Sequence, residues 1–99
     1  MFGIGNRISF YICKDFLLTT MLDLKPDVLS DTEKYIQLRF TKKKRTITLT
    51  MKQVSGKIQI EVDDTDYLLH IKTESFKKEE DVQMHILNVH KQIYTAIRG

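Results

Sequence analysis

Apolar and polar residues alternate along the middle of the chain in four short runs. The runs read YIQLRFT (35–41), TITLTMK (46–52), KIQIEV (57–62) and DYLLHIK (66–72). A period of two places the apolar side chains of a strand on one face and the polar side chains on the other. Because parallel strands buried on both faces lack this alternation, the runs predict an antiparallel sheet with one face in water.

The gaps between these runs have the length of hairpin turns. They read KKKR (42–45), VSGK (54–57) and DDTD (63–66). Ser55-Gly56 suits a turn that needs a positive φ, and the aspartates suit turns because their side chains bond to their own backbone. Short connections favour pairing of sequential strands, so the four runs predict a meander.

The C-terminal segment changes to a helical period. Its spacing predicts a helix from about residue 77 to 97, with Ser75 as the N-cap and acids 79–81 near the positive end of the helix dipole. One apolar stripe of this helix is expected to pack on the sheet. The stripe consists of Val82, Ile86, Val89, Ile93 and Ile97.

The N-terminal segment 8–24 admits two interpretations. Apolar residues alternate from Ile8 to Ile12 and again from Phe16 to Leu24, which favours a hairpin turning at Lys14-Asp15. The alternative is a single helix, whose apolar residues would point all round the axis. Pro26 and the polar run that follows it end either element.

Together these elements predict an α+β fold: an antiparallel meander of about six strands, packed by one C-terminal helix. The order of a strand meander followed by one long helix resembles the pleckstrin-homology-like roll over residues 35–98. The resemblance is one of architecture alone, since no specific motif accompanies it and the tryptophan usual in that helix is absent.

Composition places the chain among globular proteins. It has 99 residues, of which 41% are hydrophobic and 29% charged, and only one proline and four glycines. This length can bury a core without cross-links, and the composition leaves no room for a flexible linker. We therefore expect one domain spanning residues 1–99.

Cys13 is the only cysteine in the sequence. A single thiol excludes an intramolecular disulfide and a zinc site built on several thiolates, which favours the cytosol or another reducing compartment. The apolar stretch around it is interrupted by Lys14 and Asp15, whereas a membrane span needs about 20 mostly apolar residues. We therefore expect no membrane span and no secretory signal.

Motifs for catalysis, metals and cofactors are weak. His85 and His90 lie five apart, so they cannot share a helix face, and the aspartates at 63, 64 and 66 lack the spacing of a calcium loop. Cys13 has no activating motif, and GIGN (3–6) is only half of a dinucleotide fingerprint. We expect a small buried cysteine, no cofactor, no metal and no enzymatic activity.

The charge is unevenly distributed along the chain. The net charge is +3, but residues 34–60 hold eight cations and no acid, whereas residues 61–66 hold four acids and no base. Such a layout bears on anionic partners rather than on fold. Four consecutive cations form the tip of the first predicted hairpin, and we call them the basic finger: Lys42, Lys43, Lys44 and Arg45.

Besides a charged turn that only discourages aggregation and a contact with anionic lipid head groups, two functions are compatible with the basic finger. The first is a non-catalytic interaction module that binds a partner protein in a regulatory, inhibitory or assembly role. The alternative is a nucleic-acid binder without sequence preference, although no aromatic ladder for base stacking accompanies the cations. In either case, further cations are expected beside the finger on the outward sheet face: Arg39, Lys52, Lys57 and Lys72.

Overall fold

The computed structural model describes residues 8–99. The chain forms helix α1 (Phe10–Met21), a 3₁₀ turn (Leu22–Leu24), strand β1 (Asp27–Asp31), strand β2 (Tyr35–Lys42) and strand β3 (Arg45–Val54). Strand β4 (Lys57–Asp64), strand β5 (Glu74–Phe76) and helix α2 (Glu79–Arg98) follow. The GIGN stretch lies outside the described residues.

The strands form one antiparallel sheet in the order β1-β2-β3-β4-β5. The predicted α+β fold, with a meander and a C-terminal helix, is therefore confirmed. The β3–β4 turn holds Ser55 and Gly56 at φ of 51° and 77°, as the sequence predicted for this position. The sheet has five strands rather than six, and the difference arises at the N-terminus and after β4.

One face of the sheet carries the core, as the alternation predicted. Ile36, Leu49 and Ile60 are fully buried on β2, β3 and β4, and both helices cover this face. The opposite face, which we call the open face, carries the alternate residues, including a row of threonines on β3. Most of the core lies between the sheet and the two helices: Phe10, Cys13, Leu17, Met21, Leu38, Phe40, Ile47, Met51, Ile58 and the α2 stripe.

Helix α2 matches its predicted extent closely. Val82, Ile86, Val89 and Ile93 are completely buried, and Ile97 packs at the margin of the core. The predicted N-cap is wrong, because Ser75 lies in β5 and Lys78 occupies the cap position without a capping side-chain bond.

The N-terminal hairpin is wrong, because residues 10–21 form helix α1. Ser9 caps this helix by accepting a hydrogen bond from the Ile12 N–H at 3.3 Å. The Ser9 N–H also donates to the Glu79 carboxylate at 2.8 Å, so the two helices begin side by side. Just after the C-terminal end of α1, Asp23 bonds at 2.9 Å to His90, which lies further along α2, so α1 and α2 run parallel.

The fourth predicted strand is also wrong. Residues 66–72 form an irregular loop. Of the alternating residues Tyr67, Leu69 and Ile71, the last two pack against the core as predicted, whereas Tyr67 is exposed. The last strand, β5, begins at Glu74 and is only three residues long. Conversely, Asp27–Asp31 was assigned to a polar break and forms edge strand β1.

Candidate functional site

The base of the basic finger is fixed by an ion pair between β3 and β4. The Arg45 Nε–H donates to Asp64 Oδ1 at 3.0 Å, and the Nη2 group donates to Oδ2 at 2.7 Å. Side chains at this pair are largely withdrawn from water, with 14% of Arg45 and 1% of Asp64 exposed. Two parallel bonds define both the distance and the orientation of the two groups.

The same carboxylate organises the loop after β4. Asp64 accepts backbone N–H groups from Asp66, Leu68 and Leu69 at 2.9–3.1 Å. These three bonds and the two from Arg45 satisfy a buried charge that would otherwise be costly. The loop and the base of the finger are therefore held by one side chain.

A second link lies beside the ion pair. The Thr46 N–H donates to the Thr65 hydroxyl at 3.0 Å, and the Thr65 N–H donates to the Thr46 carbonyl at 3.0 Å. The first residues of β3 are thus bound to the loop by backbone as well as by side-chain bonds. We infer that the finger stands on a rigid base.

Both members of the ion pair remain charged. The hydrogen bond from Arg45 is the main reason why the pKa of Asp64 lies well below its usual value, and three backbone donors act in the same direction. In turn, the bond to Asp64 raises the pKa of Arg45. The charge of Arg45 is therefore offset inside the protein, whereas Lys42, Lys43 and Lys44 are exposed.

The tip of the finger has an unusual backbone. Lys43 has a φ of 56°, in the left-handed region that glycine and asparagine occupy most easily. A lysine at this position carries a conformational cost that Asn or Gly would reduce. Lys43 is the first residue of a two-residue hairpin loop, and such loops require a positive φ at this position, as Ser55 also shows in the next turn.

A shallow cleft of about 480 Å³, widely open to solvent, lies beside the finger. Lys42 lies two positions after the buried Phe40 on β2, and Arg45 lies two positions before the buried Ile47 on β3. Both side chains therefore point to the helix side of the sheet. Asp66 and Ala96 of α2 complete the walls. The cleft thus lies between the finger, the loop after β4 and the last turn of α2.

The other predicted cations do not join this cleft. Arg39, Lys52 and Lys57 alternate with buried residues and belong to the open face. Lys52 lies seven residues from Arg45, about 24 Å along the strand. Since the cleft is on the helix side, these cations and the finger do not form the single basic face that was expected. The fourth expected cation, Lys72, lies in the irregular loop.

Acidic residues further divide the open face. Glu61 pairs with Thr50, and Asp63 pairs with Thr48, so two carboxylates lie one strand away from the middle of β3. Arg39 is already bound to Asp27 on β1 at 3.3 Å. The open face therefore has no continuous positive track.

The residues that the structure describes contain neither a metal-ligand cluster nor an exposed thiol. No group of three His, Cys, Asp or Glu side chains in residues 8–99 could hold a metal ion. The Cys13 thiol is fully buried, as predicted, and burial raises its pKa to about 11, which leaves it protonated and unreactive at neutral pH. Neither helix of residues 8–99 is long and apolar enough to cross a bilayer.

Asp64 is the residue whose role sequence reasoning missed. It was grouped with the turn aspartates, although it follows Ile58, Ile60 and Val62 at intervals of two and so falls on the buried face. An acid on the buried face of a strand requires a partner, and this parity was the available signal. Ala96 could not have been found, because its place beside the finger depends on how α2 packs.

Comparisons with models of protein families, with curated proteins and with solved structures give no match for this chain. The candidate site therefore rests on its geometry alone.

Proposed function

We propose that the protein is a non-catalytic interaction module that binds a partner protein through the basic finger, in a regulatory, inhibitory or assembly role. The observation that carries the proposal is the Arg45–Asp64 pair, which anchors three exposed lysines on a rigid base. A preorganised surface binds more tightly, because less conformational entropy is lost on association. A hairpin that served only to remain solvated would not need this anchor.

A protein partner is favoured over nucleic acid by the distribution of charge. Binding of a phosphate backbone needs cations along an extended path. Here Lys52 and Lys57 lie on the opposite sheet face from the cleft, and acidic Glu61 and Asp63 lie between the ends of that face. A compact basic site suits an acidic patch on a protein, where charge complementarity guides association.

The chemistry of Cys13 is compatible with a reducing compartment such as the cytosol, which is where we place the protein in this proposal. A lone, buried thiol with a raised pKa contributes no cross-link.

The test is a pull-down from cell extract with and without nuclease, using the parent and a variant with Lys42, Lys43 and Lys44 replaced by serine. The control variant carries the same loss of charge at Lys34, Lys77 and Lys91, which are exposed outside the cleft. We expect a protein that resists nuclease and is lost only with the finger variant. Capture that disappears with nuclease would support the nucleic-acid alternative, and equal capture by all three proteins would refute a role for the finger.

A further inference from the structure

The cleft beside the basic finger combines positive charge with an apolar wall. Arg45 is already bound to Asp64, so its charge is offset within the protein. The charges that remain in the cleft are three exposed lysines and one acid, Asp66. Ala96 contributes a methyl group, and the lysine side chains contribute methylene stems below their charged ends. An occupant that complements this cleft must carry both negative charge and an apolar group.

We infer that the cleft binds an acidic peptide segment of the partner, with an apolar side chain inserted towards Ala96 and flanking carboxylates on Lys42, Lys43 and Lys44. This inference rests on the proposed function and specifies the chemistry of the partner. The cleft has a volume of about 480 Å³ and is widely open to solvent, so it offers room for one apolar side chain at its wall rather than an enclosing pocket.

The position of the cleft favours a peptide over a polyphosphate chain. The cations form one cluster at the finger end of the sheet, and the next lysines of β3 and β4 face the other side. A phosphate chain gains little from the apolar wall, whereas a leucine or phenylalanine between two carboxylates uses both features. The two classes of ligand are therefore separable by changing the apolar contact alone.

The experiment uses the full chain labelled with ¹⁵N and three probes. The first is a peptide with two glutamates on each side of a leucine, the second has serine in place of leucine, and the third is inorganic polyphosphate. We expect the first peptide to shift amides of residues 42–45, 66 and 95–97. The serine peptide should bind roughly tenfold more weakly, because burial of a leucine side chain is lost.

Two substitutions at Ala96 test the apolar wall. Ala96→Phe fills the cleft and should weaken the leucine peptide by a similar factor while leaving polyphosphate binding unchanged. Ala96→Ser leaves the cleft open and should behave almost like the parent. Thermal melting and the ¹⁵N spectrum of each variant check that α2 remains packed.

A substitution at the tip separates binding from folding. Lys43→Asn removes a charge while relieving the left-handed backbone, so peptide affinity should fall whereas the melting temperature should stay equal or rise. Unchanged peptide affinity of Lys43→Asn would overturn the proposed contact between this lysine and a carboxylate of the peptide.

Several outcomes would overturn the inference. They are equal affinity for the leucine and serine peptides, shifts centred away from the cleft, no binding at millimolar peptide, or no effect of Ala96→Phe. These results are distinguishable from failure of the proposed function. If the proposed function failed, the pull-down would become sensitive to nuclease or insensitive to the finger variant. If only the peptide inference failed, a protein partner that depends on the finger would remain but would bind by a different chemistry.

Discussion

Arg45 and Asp64 form a two-point ion pair of 2.7 and 3.0 Å that joins the first residue of β3 to the last residue of β4. The two residues are not register partners, since Arg45 pairs with Lys42 and Asp64 pairs with Ile47. The bond therefore runs diagonally across the end of the sheet, and Asp64 extends it into the following loop. Removal of either side chain should loosen the finger and the loop together.

The first prediction concerns the stability supplied by this pair. Asp64→Asn keeps the shape of the side chain but leaves the charge of Arg45 without its partner, which should cost about 3–5 kcal/mol in the free energy of unfolding. The measurement is urea denaturation at pH 7. The control is Asp63→Asn on the open face, which should stay within about 0.5 kcal/mol of the parent. Equal effects of the two changes would contradict a structural role for Asp64.

The second prediction concerns acid. The pKa of Asp64 is lowered in the folded protein, so the unfolded chain takes up a proton first as the pH falls through its ordinary value of 3.8. The stability from this group is present above that value and is lost progressively at lower pH. We expect the parent to lose more stability than Asp64→Asn between pH 5 and pH 2.5. Parallel losses in the two proteins would refute this linkage.

Sequence and structure agree most closely where burial alone determines the pattern. On β2, β3 and β4, apolar residues at every second position point to one core, so alternation identified both the strands and their buried faces. The α2 stripe was predictable for the same reason. For Leu69 and Ile71, alternation correctly predicted burial, but the strand pairing that it also predicted does not form.

The predicted fold is wrong where side chains are buried but the backbone does not pair as a strand. In the loop after β4, the Asp64 carboxylate accepts hydrogen bonds from the backbone N–H groups of Asp66, Leu68 and Leu69. These N–H groups are therefore not available to a neighbouring strand, and Tyr67 has a φ of 55°, which is not that of a strand. The same carboxylate is held in place by its ion pair with Arg45 of β3. Sequence spacing does not contain that information.

Helix α1 was obscured by its exposed apolar residues. Tyr11 is 74% exposed and Ile12 is 45% exposed, and they weaken the contrast between its two faces. The buried residues do follow helical spacing, at Phe10, Cys13, Leu17 and Met21. Edge strand β1 was obscured differently, since pairing with β2 rather than burial maintains it.

The third prediction tests the core face of the sheet. Leu49 and Ile60 are fully buried on adjacent strands. Truncation of either to alanine should cost about 2–5 kcal/mol through lost burial and a residual cavity. Chemical denaturation measures this loss, with Thr48→Ala on the open face as the control. A Leu49→Ala variant as stable as the parent would show that the buried face is assigned incorrectly.

The fourth prediction concerns the dependence of the sheet on α2. Four residues of this helix are completely buried, including Val82 and Ile93, and they cover the apolar face of the strands. A chain truncated after Lys77 should therefore not fold, because that face would be left in water. An NMR spectrum with narrow amide dispersion is the expected result. Wide dispersion from the truncated chain would show that the sheet and α1 suffice.

The last prediction concerns His85, whose side chain lies between α2 and β5 and is only 10% exposed. Its Nε2 atom is buried without a hydrogen-bond partner, Glu74 lies 3.4 Å from Nδ1, and the Phe76 ring centroid lies 5.0 Å away. Burial lowers the pKa of His85 from its ordinary value of 6.5, and the attraction of Glu74 offsets part of this effect. A charged imidazole is therefore disfavoured in the folded protein.

The sign of the pH dependence follows from this shift. As the pH falls below about 6.5, the unfolded chain binds more protons than the folded chain at this position, so stability decreases. Urea denaturation at pH 7.5 and pH 5.5 should show the loss in the parent. His85→Phe keeps an aromatic ring beside Phe76 and removes both the titration and the unsatisfied nitrogen, so its loss over this range should be smaller. His70→Gln, at an exposed position of the loop, should retain the loss of the parent. If His85→Phe lost as much stability as the parent, the decrease would have to arise from another group.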